Sequence, residues 1–146
     1  MKTQINSILL VDDENLFHLV FEDACSILDI TLDLQSVSSA DQAEDMFKVF
    51  SKEPENKPEC VFVDLNIIGS SFDGIELVKR INYTYGNGVV IGIISSSSDS
   101  TEIDKAKEAG AQFWIVKTDD IEPRLEQFKK DYVYYKDGTG LFKVYK

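Results

Sequence analysis

Residues 59–66 read E-C-V-F-V-D-L-N, from Glu59 to Asn66. Cys60 to Val63 form an apolar run of strand type that closes on a carboxylate, Asp64. A strand that is apolar on both faces is covered on both faces, as in a parallel sheet flanked by helices. Open α/β sheets place their sites at the carboxyl ends of such strands. Asp64 is therefore the candidate reactive residue, and the other segments are read for what they bring to it.

The neighbouring segments repeat this pattern. Ser7 to Val11 (S-I-L-L-V) is apolar and runs into Asp12-Asp13, and Val89 to Ile94 runs into Ser95. Phe113 to Val116 ends in Lys117. Leu32 and Leu34 alternate with Asp33 and Gln35, which marks a half-exposed strand ending near Val37. Helical spacing links these strands: Phe17, Val20, Phe21, Ala24 and Leu28; then Ala43, Met46, Phe47 and Phe50; then Gly74, Leu77, Val78 and Ile81. A fourth helix, about Asp99 to Ala109, has only Ile103, Ala106 and Ala109 as apolar residues, and Gly110 caps it. A fifth carries Ile121, Leu125 and Phe128, with Pro123 in its first turn. Ser51 to Pro58 is a polar connection, and Tyr85 to Gly88, with Gly86, is a turn.

Five strands alternating with five helices predict an α/β fold with a doubly wound five-stranded parallel sheet, flavodoxin-like, with helices on both faces. The alternating second strand belongs at an edge and the fully apolar ones inside, which agrees with the order 2-1-3-4-5. The switch point then lies between the first and third strands, where Asp12-Asp13 meet Asp64. Residues 1–131 make up this domain. Residues 132–146 read as a C-terminal tail in which Tyr132 to Tyr135 and Leu141 to Tyr145 flank a Gly-containing loop, the pattern of a β-hairpin.

Composition narrows the function classes. The 146 residues fit one domain with a real core. A net charge of -11 argues against direct nucleic-acid binding, which needs clustered cations. No apolar run spans a bilayer, and the N-terminus lacks a signal-peptide pattern. Cys25 and Cys60 read as buried reduced thiols, which points to a cytoplasmic location. His18, between Glu14 and Glu22 at helical spacing, reads as a surface partner of those acids.

Three carboxylates in one crevice repel one another, and a hard divalent cation resolves the repulsion. Oxygen-only ligands point to Mg²⁺. A carboxylate beside that ion is a competent acceptor of a phosphoryl group. Ser95 offers a hydroxyl and Lys117 a cation with three donors from two further strand ends.

These residues carry a resemblance. L-V-D-D-E at Leu10 to Glu14, V-D-L-N at Val63 to Asn66, D-G-I-E-L at Asp73 to Leu77, I-I-S-S at Ile93 to Ser96 and A-G-A-Q-F-W-I-V-K at Ala109 to Lys117 together resemble the receiver domain of two-component response regulators, over about residues 5 to 131. The resemblance implies a stand-alone, chemotaxis-receiver-like phosphorelay protein in which Asp64 accepts a phosphoryl group. The donor would be a histidine kinase or histidine phosphotransfer protein. It also implies Mg²⁺ held by Asp13, Asp64 and the backbone carbonyl of Asn66, with Asp12 contributing largely through water. Lys117 would pair with Asp64 or its phosphoryl group. Ser95 would move toward the phosphoryl oxygen, and the rotamer of Trp114 would follow. Asn66 and Ser97 stand where the family tunes autodephosphorylation. An output protein would dock on the face of the fourth helix, fifth strand and fifth helix, with a homodimer as a further possibility. Self-phosphorylation and autodephosphorylation are implied, without independent turnover of a substrate.

Two departures keep another reading open. The family usually has Pro after the lysine, where this chain has Thr118, and a trans bond is expected there. The Ile67 to Phe72 loop is longer than usual. They admit a receiver-like interaction module that no longer cycles phosphate. An aspartate-nucleophile phosphatase ranks lower, because the second acid such enzymes carry is replaced by Asn66. A flavodoxin-like cofactor carrier ranks lower still, because the acidic loop after the first strand repels a phosphate.

Overall fold

A computed structural model describes residues 4–31, 33–85, 88–118 and 120–146. Its elements follow the order β1 (Ile8–Val11), α1 (Asn15–Ile27), β2 (Leu34–Val37), α2 (Ala40–Phe50), β3 (Cys60–Asp64), α3 (Gly74–Tyr83), β4 (Val90–Ser95), α4 (Ser100–Ala109), β5 (Phe113–Val116), α5 (Glu122–Asp137) and β6 (Lys143–Tyr145). A short 3-10 turn, Pro54–Asn56, lies in the polar connection before β3. Every strand pair is parallel, and the sheet order is β2-β1-β3-β4-β5-β6. The expected order is present, with a sixth strand added beyond β5. Leu32 and Gly86, which the sequence reading used, lie outside the described residues.

The strands alternate between two cores. Ile8, Leu10, Cys60, Phe62, Ile94, Phe113 and Ile115 pack with Phe21, Phe128 and Tyr135 on the α1–α5 face. Leu9, Val11, Val61, Val63, Ile93 and Trp114 pack with Phe47, Leu77, Val78 and Ile81 on the other. On the first face Phe62 meets Phe21, Phe113 and Phe128 at centroid distances of 5.0, 5.3 and 5.2 Å. Both cysteines are free and buried, and burial pushes the Cys25 thiol up to about 12. Among the described residues, no helix is long and apolar enough to cross a membrane.

Three helices start on side-chain caps. Ser39, Asp73 and Asp99 accept from the amides of Gln42, Glu76 and Glu102, each worth about 1 kcal/mol. α4 buries only Ala106 and Ala109. Its hold on the sheet is correspondingly weak.

The C-terminal segment differs from the hairpin read in the sequence. Tyr132 and Tyr135 continue the buried stripe of Leu125 and Phe128 at helical spacing, so α5 runs on to Asp137. Gly138, at φ 83, ends it in the left-handed region, and the amides of Thr139 and Gly140 close on the Tyr134 carbonyl. The chain then crosses to the open side of β5. There β6 pairs in parallel, Phe113 with Lys143, Trp114 with Val144 and Ile115 with Tyr145. β5 is thus an interior strand.

The loop before α3 is fixed at both ends. The Gly74 amide donates to the Leu65 carbonyl at 3.0 Å, and a Cβ at Gly74 would be driven into the carbonyl oxygen of Asp64. Backbone cannot swing aside as a side chain does. Gly74→Ala is therefore expected to cost about 3 kcal/mol, the upper end for overpacking. Urea unfolding should show a lowered midpoint at unchanged slope. A wild-type midpoint would mean that the α3 start is free to retreat from β3.

Candidate functional site

Register brings the acids together. Val11 pairs with Val63, so the next residue on each strand, Asp12 or Asp64, lies at the same level of neighbouring strands. Asp12 is fully buried and Asp64 is 8% exposed, while Asp13 is partly exposed. One carboxylate oxygen from each of Asp12, Asp13 and Asp64 falls within a 4.8 Å group. All three donors are hard oxygens and the outermost reaches solvent, which suits a small divalent cation that keeps part of its water.

Lys117 enters from the end of β5, where its amide donates to the Ser95 carbonyl at 2.7 Å. Its ammonium lies 2.8 Å from Asp12 Oδ2, 2.5 Å from Glu14 Oε1 and 3.7 Å from Asp64 Oδ2. The expected pairing with Asp64 is thus the longest of three contacts. The other oxygen of Asp12 accepts from the Glu14 amide at 2.8 Å. The Phe17 ring lies beneath the ammonium, 4.4 Å to its centroid, where a cation gains from the aromatic face.

This balance sets the charge of the site. Burial pushes the Asp64 carboxyl up to about 7, and the charges of Asp12 and Asp13 add to it. Lys117 and a hydrogen bond from the Asn66 amide oppose the rise. For Lys117, burial works against the charge, but hydrogen bonds to Asp12 and Glu14 and the charge of Asp64 outweigh it and hold the ammonium above its usual value. Asp64 is thus a carboxylate whose ionised form is destabilised until more positive charge arrives.

Ser95 is buried, and its hydroxyl accepts from the Ser97 amide at 3.1 Å. Ser97 in turn gives its carbonyl to the Trp114 indole N–H at 2.9 Å. Trp114 is fully buried, in an interior strand rather than at an edge. Asn66 is exposed just beyond Asp64. The His18 imidazole bonds the Asp12 backbone carbonyl rather than the carboxylates of Glu14 or Glu22. This contact secures the β1 end that carries the acids.

The two departures have local supports. The peptide bond before Thr118 is trans. Thr118 Oγ1 accepts from Arg124 at 2.9 Å, and the same guanidinium donates to the Asp120 carbonyl at 3.0 Å. α5 thereby fastens Thr118 and Asp120, beyond Lys117. The Ile67 to Phe72 loop is fastened to α2: Ser70 Oγ accepts from the Ala40 amide, and the Ser71 amide donates to Asp41, both at 2.9 Å. Arg80 stacks on Phe72 at 3.8 Å.

Glu14, Phe17 and Arg124 are the contributors that sequence reasoning missed. Glu14 stands in the quoted L-V-D-D-E segment, two residues after Asp12. That position was its one visible signal. A groove of about 250 Å³ beside the acids is lined by Glu14, Leu16, Phe17, Val20, Ser96, Lys117 and Thr118. Leu16 at its rim is 73% exposed.

Comparisons with known proteins bear on the family and the fold. A family model described as the response regulator receiver domain matches residues 8–127. A response regulator of red-light signalling from R. palustris superposes with a TM-score of 0.72 at 22% identity, over 89% of this chain and 93% of the other. A LuxR-family two-component response regulator from Aurantimonas sp. SI85-9A1 gives 0.73 at 22% identity, over 95% and 89%. The Mn²⁺-bound form of the response regulator Rcp1 gives 0.65 at 18% identity, over 87% and 94%. At these identities the superpositions show a shared fold. A comparison with curated proteins gives no match.

Proposed function

The chain belongs to the response regulator receiver family, a family of phosphorelay signalling, and from that premise we propose that it is a phosphorylation switch with Asp64 as the acceptor. The observation that carries this reading is the convergence of Asp12, Asp13, Asp64 and Lys117 at the carboxyl edge of the sheet.

Asp12, Asp13, Asp64 and the Asn66 carbonyl would hold Mg²⁺, and the ion would supply the positive charge that stabilises ionised Asp64 and the transferring phosphoryl oxygens. A carboxylate oxygen of Asp64 attacks phosphorus of a phosphohistidine. The new O–P bond forms as the P–N bond breaks, and the departing imidazole takes a proton from solvent. Lys117 stands within reach to follow a phosphoryl oxygen, and Ser95 exchanges its bond from the Ser97 amide for one to that oxygen. Each such donor is worth roughly 10²–10³ in rate when aimed at developing charge. The donor would be a histidine kinase or a histidine phosphotransfer protein, approaching over the Leu16 rim of the groove. An output protein, or a second copy of the chain, would read the face of α4, β5 and α5, to which β6 now belongs. The switching part would take in residues 1–131, and α5 carries it on without a break to Asp137 and β6. A cytoplasmic location fits the buried thiols.

Acetyl phosphate with Mg²⁺ should add one phosphoryl group, which mass spectrometry of the intact chain would detect and peptide mapping would place on Asp64. Mg²⁺ binding with no uptake from acetyl phosphate or any phosphohistidine donor would refute the reading in favour of an interaction module.

A further inference from the structure

The C-terminal strand reaches the site through Trp114. Val144 pairs with Trp114 across β5–β6, and Phe142 and Val144 pack against the core cluster that holds the indole. α4 offers that cluster two buried alanines, Ala106 and Ala109, and the partly buried Ile103. The Cβ atoms of alanines cover little of an indole, so Val144, the register neighbour of Trp114, adds to that cover. Lys107 on α4 lies 5.2 Å from the centroid of the Phe142 ring and joins helix to strand. From Trp114 the path continues inward: indole to the Ser97 carbonyl, Ser97 amide to the Ser95 hydroxyl.

β6 is also short. It has three residues and lies at the sheet edge, and so short an edge strand is held weakly by its ladder alone. On the α5 face it is pinned by Tyr145, whose hydroxyl lies 2.8 Å from that of Tyr135 and donates to the Asp131 carboxylate at 2.7 Å. On the Trp114 face Phe142 and Val144 remain partly exposed. The only tryptophan of the chain thus lies beside a three-residue edge strand.

We propose that β6 is a releasable strap that keeps the Trp114 indole buried on the Ser97 carbonyl and so holds the Ser95–Ser97 loop in the arrangement seen here. By reciprocity, whatever moves that loop loosens the strap, and whatever loosens the strap frees the loop. The link to phosphorylation rests on the proposed function. The packing of β6 on Trp114 does not.

Trp114 fluorescence in the full-length, metal-free chain tests this directly. Val144→Asp should red-shift the emission and raise collisional quenching by acrylamide several-fold, with helix content by circular dichroism unchanged. Phe142→Ala should do the same to a smaller degree, and it serves if Val144→Asp fails to fold. Leu141→Ala, at a residue 86% exposed, should match wild type. Folded Val144→Asp or Phe142→Ala chains with a tryptophan as shielded as in wild type would overturn the proposal. In a second arm, acetyl phosphate with Mg²⁺ should shift the emission of wild type and leave that of the loosened variants nearly unchanged. Equal shifts in all of them would remove the coupling between strap and loop. A wild type that takes up no phosphoryl group would instead count against the function, while the first arm still decides the strap.

Discussion

Asp64→Asn is expected to stabilise the metal-free protein by about 2–4 kcal/mol at neutral to alkaline pH while abolishing phosphoryl uptake. The upper figure follows from a carboxyl raised from 3.8 to about 7, since each pH unit of displacement corresponds to about 1.4 kcal/mol. The lower figure allows for the cost of burying an amide in place of the acid. Asparagine has nearly the same shape, so packing of the 8% exposed residue is kept. Lys117 loses only its longest ion pair and keeps Asp12 and Glu14. The substitution removes the proposed nucleophile and, with it, the repulsion from Asp12 and Asp13.

The pH dependence has a definite sign. A carboxyl with a folded-state value above its unfolded one binds its proton more tightly when folded. Its contribution is fully present below about 4 and is lost as pH rises through about 7. The difference in stability between Asp64→Asn and wild type should therefore be largest near pH 8 and shrink toward pH 4, since other groups titrate in both proteins alike. Urea unfolding of the two proteins in a chelator at several pH values measures this. Saturating Mg²⁺ should recover the deficit in wild type, by about 2.7 kcal/mol at a hundredfold excess over the dissociation constant. A pH-independent difference would mean that Asp64 is not strained by its neighbours.

Much of this site was legible because the apolar runs fix the register. Each run ends one residue before its polar group, so Asp12 beside Asp64 follows from aligning Ser7 to Val11 with Cys60 to Val63. Lys117 and Ser95 follow in the same way from the ends of the fifth and fourth strands. The partners of Lys117 were less visible, because Glu14 and Phe17 lie about a hundred residues away and belong to no local pattern. The C-terminal segment misled for a different reason. Tyr132 to Tyr135 are strong strand formers by type, yet Tyr132 and Tyr135 fall on the helical stripe of Leu125 and Phe128. Burial of that stripe against Phe62 and Phe113 outweighs local preference. Leu141 to Tyr145 does contain a strand. Its partner could not be read, since a parallel neighbour leaves no turn signature between the two strands.

Lys117→Met is expected to move metal affinity and phosphoryl transfer in opposite directions. Methionine keeps an apolar stem over Phe17 but removes the charge and its donors to Asp12 and Glu14. Without metal, Asp12 is left buried with its Oδ2 uncompensated, and breaking such a pair costs about 3–5 kcal/mol. A cation near 4 Å from a carboxylate is worth up to about 4 kcal/mol at an effective dielectric of 20. The same positive charge repels Mg²⁺, so its removal should tighten Mg²⁺ binding roughly tenfold or more, a modest part of that Coulomb energy. Transfer should nonetheless slow by about 10²-fold, because the ion cannot replace a donor aimed at the phosphoryl oxygen. Titration calorimetry with Mg²⁺ and the rate of uptake from acetyl phosphate separate the two effects. If affinity and rate fall together, Lys117 serves mainly to hold the carboxylates in place. If affinity rises and the rate is untouched, the ammonium has no part in transfer, and the phosphoryl group is met by the metal and Ser95 alone.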